Sequence, residues 1–369
     1  MRKRFALACM LASLALPAAG YAACEGSGGW PRWEQVRAQM ISPEGRVIDH
    51  SDERQITTSE GQSYAMFFAL VDNDRTLFRR LARWTEQNLA RGDFTSHLPS
   101  WLWGRRASGE WGVLDENSAA DSDLWIAYSL LEAGRLWRER SYTVLGTLLL
   151  QRMAREEVAD LPGLGMTLLP GAQGFVHEHR WKLNPSYLPP QLAQRAAVLL
   201  AGSWETLASG ASRFLIDSAP KGLAPDWISW TPKGFEATAE DEMTGSYDAI
   251  RVYLWVGMLH DEAPHARALK RHFKALRPYV SSQGVPPEKI DVQRGAAQGN
   301  GPAGFSAALL PLFGEDAEAD ALRDRLKGVA GQDMGYYNQM LALFGEGWDQ
   351  GRYRFDKDGS LIPRWETCE

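Results

Sequence analysis

Two carboxylic acids in this chain sit where acid–base chemistry on a single bond would need them. Glu60 occurs in Thr57-Thr58-Ser59-Glu60-Gly61-Gln62-Ser63-Tyr64, and Asp248 in Gly245-Ser246-Tyr247-Asp248-Ala249-Ile250-Arg251. They are 188 positions apart, and each stands where apolar helical sequence begins. Hydrolysis of a glycosidic bond calls for such a pair: one carboxyl group gives a proton to the leaving oxygen, and the other activates water on the opposite side of the sugar. A single acid in this position is ordinarily a helix cap or a solvated charge, because acids favour helix N-termini. The flanking residues decide between these readings.

A third acidic segment, Ala119-Ala120-Asp121-Ser122-Asp123-Leu124-Trp125, precedes another apolar helical run. Together the three segments resemble those of glycoside hydrolase family 8. The Glu60 segment resembles its catalytic-acid segment, and Ser246-Tyr247-Asp248-Ala249-Ile250-Arg251 its catalytic-base segment. Ala119 to Asp123 is similar to the family signature of Ala, Ser or Thr, Asp, Gly or Ala, Asp. Ala120 replaces the Ser or Thr and Ser122 the Gly or Ala; both are small, so backbone geometry is retained while one hydroxyl is lost. The resemblance implies that Glu60 is the acid, Asp248 the base and Asp121 the residue that holds the distorted sugar. It implies endo-hydrolysis of β-1,4-glucosidic bonds in cellulose by inversion, with the two carboxyl groups roughly 6.5–9.5 Å apart rather than the roughly 5–5.5 Å of a retaining pair.

The likeness runs from about Trp30 to the C-terminus and includes Asn184-Pro185-Ser186-Tyr187-Leu188-Pro189-Pro190 and Phe344-Gly345-Glu346-Gly347-Trp348-Asp349-Gln350. That extent implies a role in bacterial cellulose synthesis and export, with the synthase or export components as partners. Xylanases and chitosanases of the same family share the acid segment. A non-catalytic glucan-binding component of a secretion apparatus and a helical-toroid polysaccharide lyase are rival readings. Release of reducing ends or of ultraviolet-absorbing products separates them.

Physical chemistry gives the third acid a purpose. At a helix N-terminus the macrodipole favours ionised Glu60, whereas a general acid must keep its proton near neutral pH. A second carboxylate nearby, together with burial, shifts the balance back, and Asp121 is the candidate. Asp123 reads as a helix cap. Asp248 and Arg251 are spaced i, i+3, so a helix begun by Asp248 places the guanidinium beside the base and keeps it ionised. The alternative for that pair is a surface ion pair of little energetic weight.

The chain has 15 Trp among its 369 residues, and most aromatic rings of this kind go to the core. Some flank turns instead, and flat rings suit the apolar faces of glucose. By position Trp103, Trp181, Tyr187 and Tyr337 look like the family's cleft residues, and Tyr247 and Arg251 flank the base. His177-Glu178-His179 reads as a strand in a surface hairpin rather than a metal site. No His-Glu-x-x-His, phosphate-binding glycine loop or nucleophile elbow occurs, so neither cofactor nor metal is expected.

The elements that must position these residues are helical. Leu77, Leu81 and Trp84 follow the helical period, as do Leu124, Ala127, Tyr128 and Leu131. Further apolar helical stretches cover about 142–155, 190–209, 248–260, 265–275, 303–313 and 335–345. Turns punctuate them at Asn184-Pro185, Pro220-Lys221-Gly222, Gly284-Val285-Pro286-Pro287 and Asn300-Gly301-Pro302. Short strands near Thr167–Leu169 and Phe175–His177 read as a hairpin around Pro170-Gly171. About a dozen helices without βαβ alternation leave a bundle, a solenoid or a closed helical barrel. Periodicity does not choose among them; the resemblance implies an all-α (α/α)6 barrel with minor β-hairpins.

Residues 1–22 read as a signal peptide: Arg2, Lys3 and Arg4, an apolar run from Phe5 to about Ala19, then Gly20-Tyr21-Ala22 before the cleavage point. The apolar run is short against the roughly 20 residues of a membrane span, so no span is expected in the mature protein and the location is periplasmic or secreted. Residues 23–369 then form one domain, as no interior linker divides them. The formal charge is −6, and loss of the three basic leader residues brings it to about −9, which disfavours nucleic acid and suits a neutral glycan. Cys9 leaves with the leader, so Cys24 and Cys368 remain, at opposite ends of an exported chain. They read as one disulfide, with two free thiols as the alternative. A closed barrel, as the resemblance implies, would bring the two ends together. Peptide mapping of unreduced protein should recover the Cys24 and Cys368 peptides linked; recovery of both as free thiols from native material counts against the bridge.

Overall fold

The computed structural model describes residues 29–329 and 334–368. Helices dominate: α1 (Pro31–Met40), α2 (Ser59–Val71), α3 (Arg75–Asn88), α4 (Ala120–Leu136), α5 (Arg140–Glu156), α6 (Pro190–Leu199) and α7 (Ser203–Asp217) in the first part of the chain. The short α8 (Glu240–Met243) is followed by α9 (Ile250–Gly257), α10 (Ala266–Phe273), α11 (Arg277–Gln283), α12 (Ala303–Phe313), α13 (Ala317–Gly328) and α14 (Gly335–Asp349).

Two kinds of helix are distinguished by their sequence. In α3 the buried side is Leu77, Phe78, Leu81, Ala82, Trp84 and Thr85, while Arg75, Arg79, Arg80 and Arg83 face water. Such one-sided helices need a neighbour on one face only. In α2, α4 and α12 nearly every residue is buried, so each must be enclosed on all sides. A ring satisfies both kinds. Helices α2, α4, α6, α9, α12 and α14 pack in that circular order, with α14 returning to α2. Outside them α3 packs on α2, α5 on α4, α7 on α6, α10 on α9, α13 on α12, and α1 on α14. This is an (α/α)6 barrel. Close approach inside the ring is set by small residues: a Cβ at Gly345 of α14 would collide with the Ala307 carbonyl of α12, and one at Gly257 of α9 with Leu312 of the same helix.

The predicted helical stretch 190–209 is two helices, parted at Gly202, whose φ of 91° suits glycine. The predicted hairpin around Pro170-Gly171 does not form. Instead Gly165–Leu168 pairs with Val158–Leu161, and Val176–His177 pairs with Arg180–Leu183 in a four-stranded sheet. Both strand pieces exist, but each takes its partner from the other direction along the chain. The 170–172 segment is engaged elsewhere: Ala120 N donates to the Pro170 carbonyl at 2.9 Å and Ala172 N to Ser118 Oγ at 3.0 Å.

The N- and C-terminal parts of the described chain meet at Arg352. Its guanidinium donates to the Gly29 carbonyl at 2.7 Å, and its own carbonyl accepts from Arg364 N at 2.8 Å. The expected signal peptide (residues 1–22), Cys24 and the side chain of Cys368 lie outside the described residues, and with them the expected disulfide.

Asp123 is not a helix cap. It is fully buried, and Ala119 occupies the N-cap position of α4 without a side-chain bond. Asp123 faces Glu157, equally buried, at the end of α5. Ser118 Oγ donates to Glu157 Oε1 at 2.6 Å, while Glu157 Oε2 and both Asp123 oxygens have no N–H or hydroxyl donor. Two adjacent carboxyl groups in this setting keep a proton between them. Burial, then the charge of Glu157, pushes Asp123 well up, and burial pushes Glu157 up to about 8. Both groups hold protons more tightly when folded, so each stabilises the fold at low pH, and the contribution of Glu157 is complete below its unfolded value of about 4.5 and is lost as pH rises through about 8. Thermal melting at pH 5 and pH 9 should therefore show the wild type losing several degrees more than Glu157→Gln, whose amide donates to Asp123 without titrating.

Candidate active site

The N-terminal ends of three inner helices open at one end of the barrel, and each carries one of the acids named above. Thr58 caps α2, its hydroxyl oxygen accepting from Gly61 N at 3.0 Å, and this places Glu60 in the first turn. Asp121 is in the first turn of α4, where its Oδ1 accepts from Ser122 N at 2.7 Å. Asp248 lies just before α9, with Arg251 N donating to its carbonyl at 3.1 Å.

One guanidinium joins all three. Arg251 Nη1 donates to Glu60 Oε2 at 2.5 Å and to Asp121 Oδ2 at 3.0 Å, and Nη2 donates to Asp248 Oδ1 at 2.5 Å. Nη1 also reaches the Tyr64 hydroxyl at 3.2 Å, and the Tyr187 ring lies 5.6 Å from the guanidinium carbon. Arg251 and Asp121 are each 4% exposed, whereas Glu60 and Asp248 keep 21% and 28%. The two outer acids thus face the opening and the two inner groups support them. A cavity of about 250 Å³ fills the space between them, walled by Trp101, Tyr187, Tyr247 and Tyr337 beside the three acids.

The electrostatics follow from one cation among three carboxyl groups. Burial raises Glu60, Arg251 opposes that, and Asp121 and Asp248 add to it, with a result of about 7. Asp121 is also raised, by burial first, against the pull of Arg251. Tyr336 OH donates to Glu60 Oε1 at 3.2 Å.

Of the residues selected from sequence, Glu60, Asp121, Asp248, Arg251, Tyr187, Tyr247 and Tyr337 come together around this cavity. Trp103 and Trp181 do not line it. Trp103 is in the strand Leu102–Arg105, paired with Thr57. It stacks on Trp111 at 5.4 Å, meets the edge of Trp84, and has the Arg46 guanidinium 4.4 Å from its centroid. Thr57 Oγ1 is bound to Arg46 too, so this side of the sheet faces away from Thr58 and the cavity. Trp181 lies in the strand Arg180–Leu183, opposite Val176 and Trp230. His177 is exposed in the neighbouring strand, and the described residues contain no group of acids, cysteines and histidines able to hold a metal.

Four residues in or behind the site were not selected. Trp101 lines the cavity two positions before Trp103, and its carbonyl accepts from Ser59 N at 2.9 Å. Tyr64 stands one helical turn after Glu60, a spacing that could have pointed to it. Tyr336 adjoins Tyr337, which was selected. Asp226 gave no local signal: it follows Pro225 in a loop, and the partners of its side chain lie twenty and more positions away. Its Oδ1 accepts from Ser246 N at 2.8 Å, Asp248 N at 3.1 Å and Ala249 N at 2.8 Å. Burial raises Asp226 to about 6 against the pull of these donors.

Comparison with known proteins agrees with this geometry. The model for glycosyl hydrolases family 8 matches residues 8–351. An endoglucanase of Salmonella typhi is 52% identical over 91% of both chains, and one of Xanthomonas axonopodis pv. citri is 48% identical over 99% of this chain and 98% of its own. The crystal structure of an endo-1,4-D-glucanase from Vibrio fischeri ES114 superposes with a TM-score of 0.88 at 44% identity, covering 91% of this chain and 99% of that one. With an (α/α)6 barrel, three acids meeting at its helix ends and a family match over most of its length, the chain belongs to glycosyl hydrolases family 8.

Proposed function

We propose that this protein is an exported endo-β-1,4-glucanase that cuts internal bonds of cellulose chains with inversion at the anomeric carbon and serves the synthesis or export of bacterial cellulose. The observation that carries the catalytic reading is the meeting of Glu60, Asp121 and Asp248 on Arg251 beside an aromatic-walled cavity. Relatives named endoglucanase, aligned over nine-tenths or more of the chain, support the substrate class. Rings such as Trp101, Tyr187 and Tyr247 suit the flat apolar faces of glucose, and a net negative charge suits a neutral polymer.

In this reading Glu60 enters the reaction protonated. Its value of about 7 allows that at neutral pH, and because Arg251 holds Oε2 the transferable proton belongs on Oε1. Asp248 receives a proton from the water that attacks the other face of the sugar. Arg251 fixes one of its oxygens. Asp121 holds the sugar at the point of cleavage and keeps the proton on Glu60 by its charge. The role in export rests on the leader and on the extent of the likeness, and loss of cellulose secretion on deletion of the gene would test it.

Glu60→Gln and Asp248→Asn should each lower kcat on carboxymethylcellulose by about 10³-fold or more with the melting temperature retained, since each keeps shape and loses proton chemistry. Early products should carry the α configuration by proton NMR; an initial β anomer overturns inversion, and full activity in either variant overturns the assignment of that acid. The alkaline limb of kcat should fall near pH 7, where Glu60 loses its proton. Asp121→Asn removes a charge that raises Glu60, so the limb should move to lower pH in whatever activity remains.

A further inference from the structure

Asp248 is mounted differently from the other two acids. Glu60 and Asp121 belong to helical turns, whose backbone N–H and carbonyl groups hold them in place. Asp248 precedes the assigned start of α9, in a segment running from the two-residue strand Thr244–Gly245. Such a segment leaves N–H groups without helical partners, and they must be satisfied from elsewhere. Here a side chain distant in sequence does so. The three N–H groups of Ser246, Asp248 and Ala249 converge on one oxygen, Asp226 Oδ1, at 2.8–3.1 Å. Asp226 is itself tied to the same strand, its N donating to the Thr244 carbonyl at 2.7 Å. From α14 the Tyr337 hydroxyl donates to the Tyr247 carbonyl. The peptide units around the base are thus gripped through their N–H groups by Asp226 and through a carbonyl by Tyr337.

We infer that Asp226 is the positioning residue of the catalytic base: its carboxylate folds the 246–249 backbone around itself and thereby fixes where the Asp248 carboxyl group meets water and sugar. This rests on the reading of Asp248 as the base. Asp226 is not among the residues that wall the cavity, so it acts through Asp248 rather than on substrate. A carboxylate is a stronger acceptor for three N–H groups than a neutral amide, and its burial as an anion is offset by those donors. Misplacement of a reacting group by about 1 Å costs about a hundredfold in rate, so an anchor that acts on position should be read in kcat.

The test is a three-variant series assayed on a soluble cello-oligosaccharide, with melting temperatures alongside. Asp226→Asn keeps the shape and the accepting oxygen. Asp226→Glu keeps the charge but advances it by one methylene, which displaces the 246–249 segment. Asp226→Ala removes the anchor. Positioning requires Asn to retain kcat within about tenfold and both Glu and Ala to fall about a hundredfold, with KM within about twofold throughout. A folded Asp226→Glu enzyme that outperforms Asp226→Asn overturns the inference, because charge and not placement would then be what matters. Wild-type kcat in Asp226→Glu, or losses confined to melting temperature or KM, overturn it as well. Should Asp226→Ala not fold, the order of the Asn and Glu variants still decides. Asp248→Asn serves as the control: if it is active, the base reading itself fails, whereas an inactive Asp248→Asn beside a fully active Asp226→Glu removes only the role given to Asp226.

Discussion

Arg251 is a single cation placed almost out of reach of water among three carboxyl groups, and the state of the site follows from that imbalance. A buried guanidinium without partners would cost several kcal/mol, so the carboxylates are needed where they are. One positive charge cannot hold three anions in such a place at neutral pH, so one acid keeps a proton. Glu60 is raised to about 7 by this competition, even though its seat in the first turn of α2 favours the anion. The same guanidinium that binds Asp248 therefore leaves Glu60 poised between its forms. In the proposed reaction, removing Arg251 would disturb both carboxyl groups at once, so its effect could not be assigned to either alone.

The barrel makes this arrangement available. Inner helices that are apolar on every side can be buried only by a closed ring with a second layer, and the alternation of inner and outer helices turns all inner helices in one direction. Their N-terminal ends then gather at one mouth, with free N–H groups and positive dipole ends that favour acids. Glu60 and Asp121 come from the neighbouring inner helices α2 and α4 and share Arg251 Nη1, whereas Asp248 precedes α9, two places beyond α4 in the ring, and reaches the same guanidinium through Nη2. Behind them a carboxyl–carboxyl hydrogen bond between Asp123 and Glu157 holds together the turn at the root of α4 that carries Asp121.

What was legible in the sequence was local or motif-like. The helical period of residues such as Leu77, Leu81 and Trp84 reports burial within one helix, and it marked α3 correctly. The i, i+3 spacing of Asp248 and Arg251 foretold their contact because one backbone turn determines it. Periodicity could not close the ring, since the return of α14 to α2 is a contact between distant parts of the chain; the family resemblance supplied that. The strand at Gly165–Leu168 was legible and its partner was not, because strand pairing is chosen by tertiary context. Asp123 looked like a cap because its position before an apolar run is the same whether the side chain turns outward or inward. Trp101 and Trp103 differ by two positions, yet the first lines the cavity and the second packs against Trp84, Trp111 and Arg46. No composition rule separates them; the facing of Thr57 and Thr58 in the adjoining strand does.

In the roles proposed for them, Glu60 as acid and Asp248 as base, the two groups also differ in what the fold must do for each. A proton donor built into a helical turn inherits its position from the helix, and the ring around α2 secures it without further help. A base on a segment that is not yet helical has no such inheritance, and the backbone groups around it take partners from three places: Asp226 in the preceding loop, Tyr337 of α14 and the Arg251 N–H of the helix that follows. Water must also approach the base, which limits how much protein can be packed around Asp248, so it keeps 28% of its surface open. Rigidity by burial is therefore not available on that side. Hydrogen bonds directed at the backbone supply it instead, holding the peptide units still while leaving the carboxyl group free to take a proton.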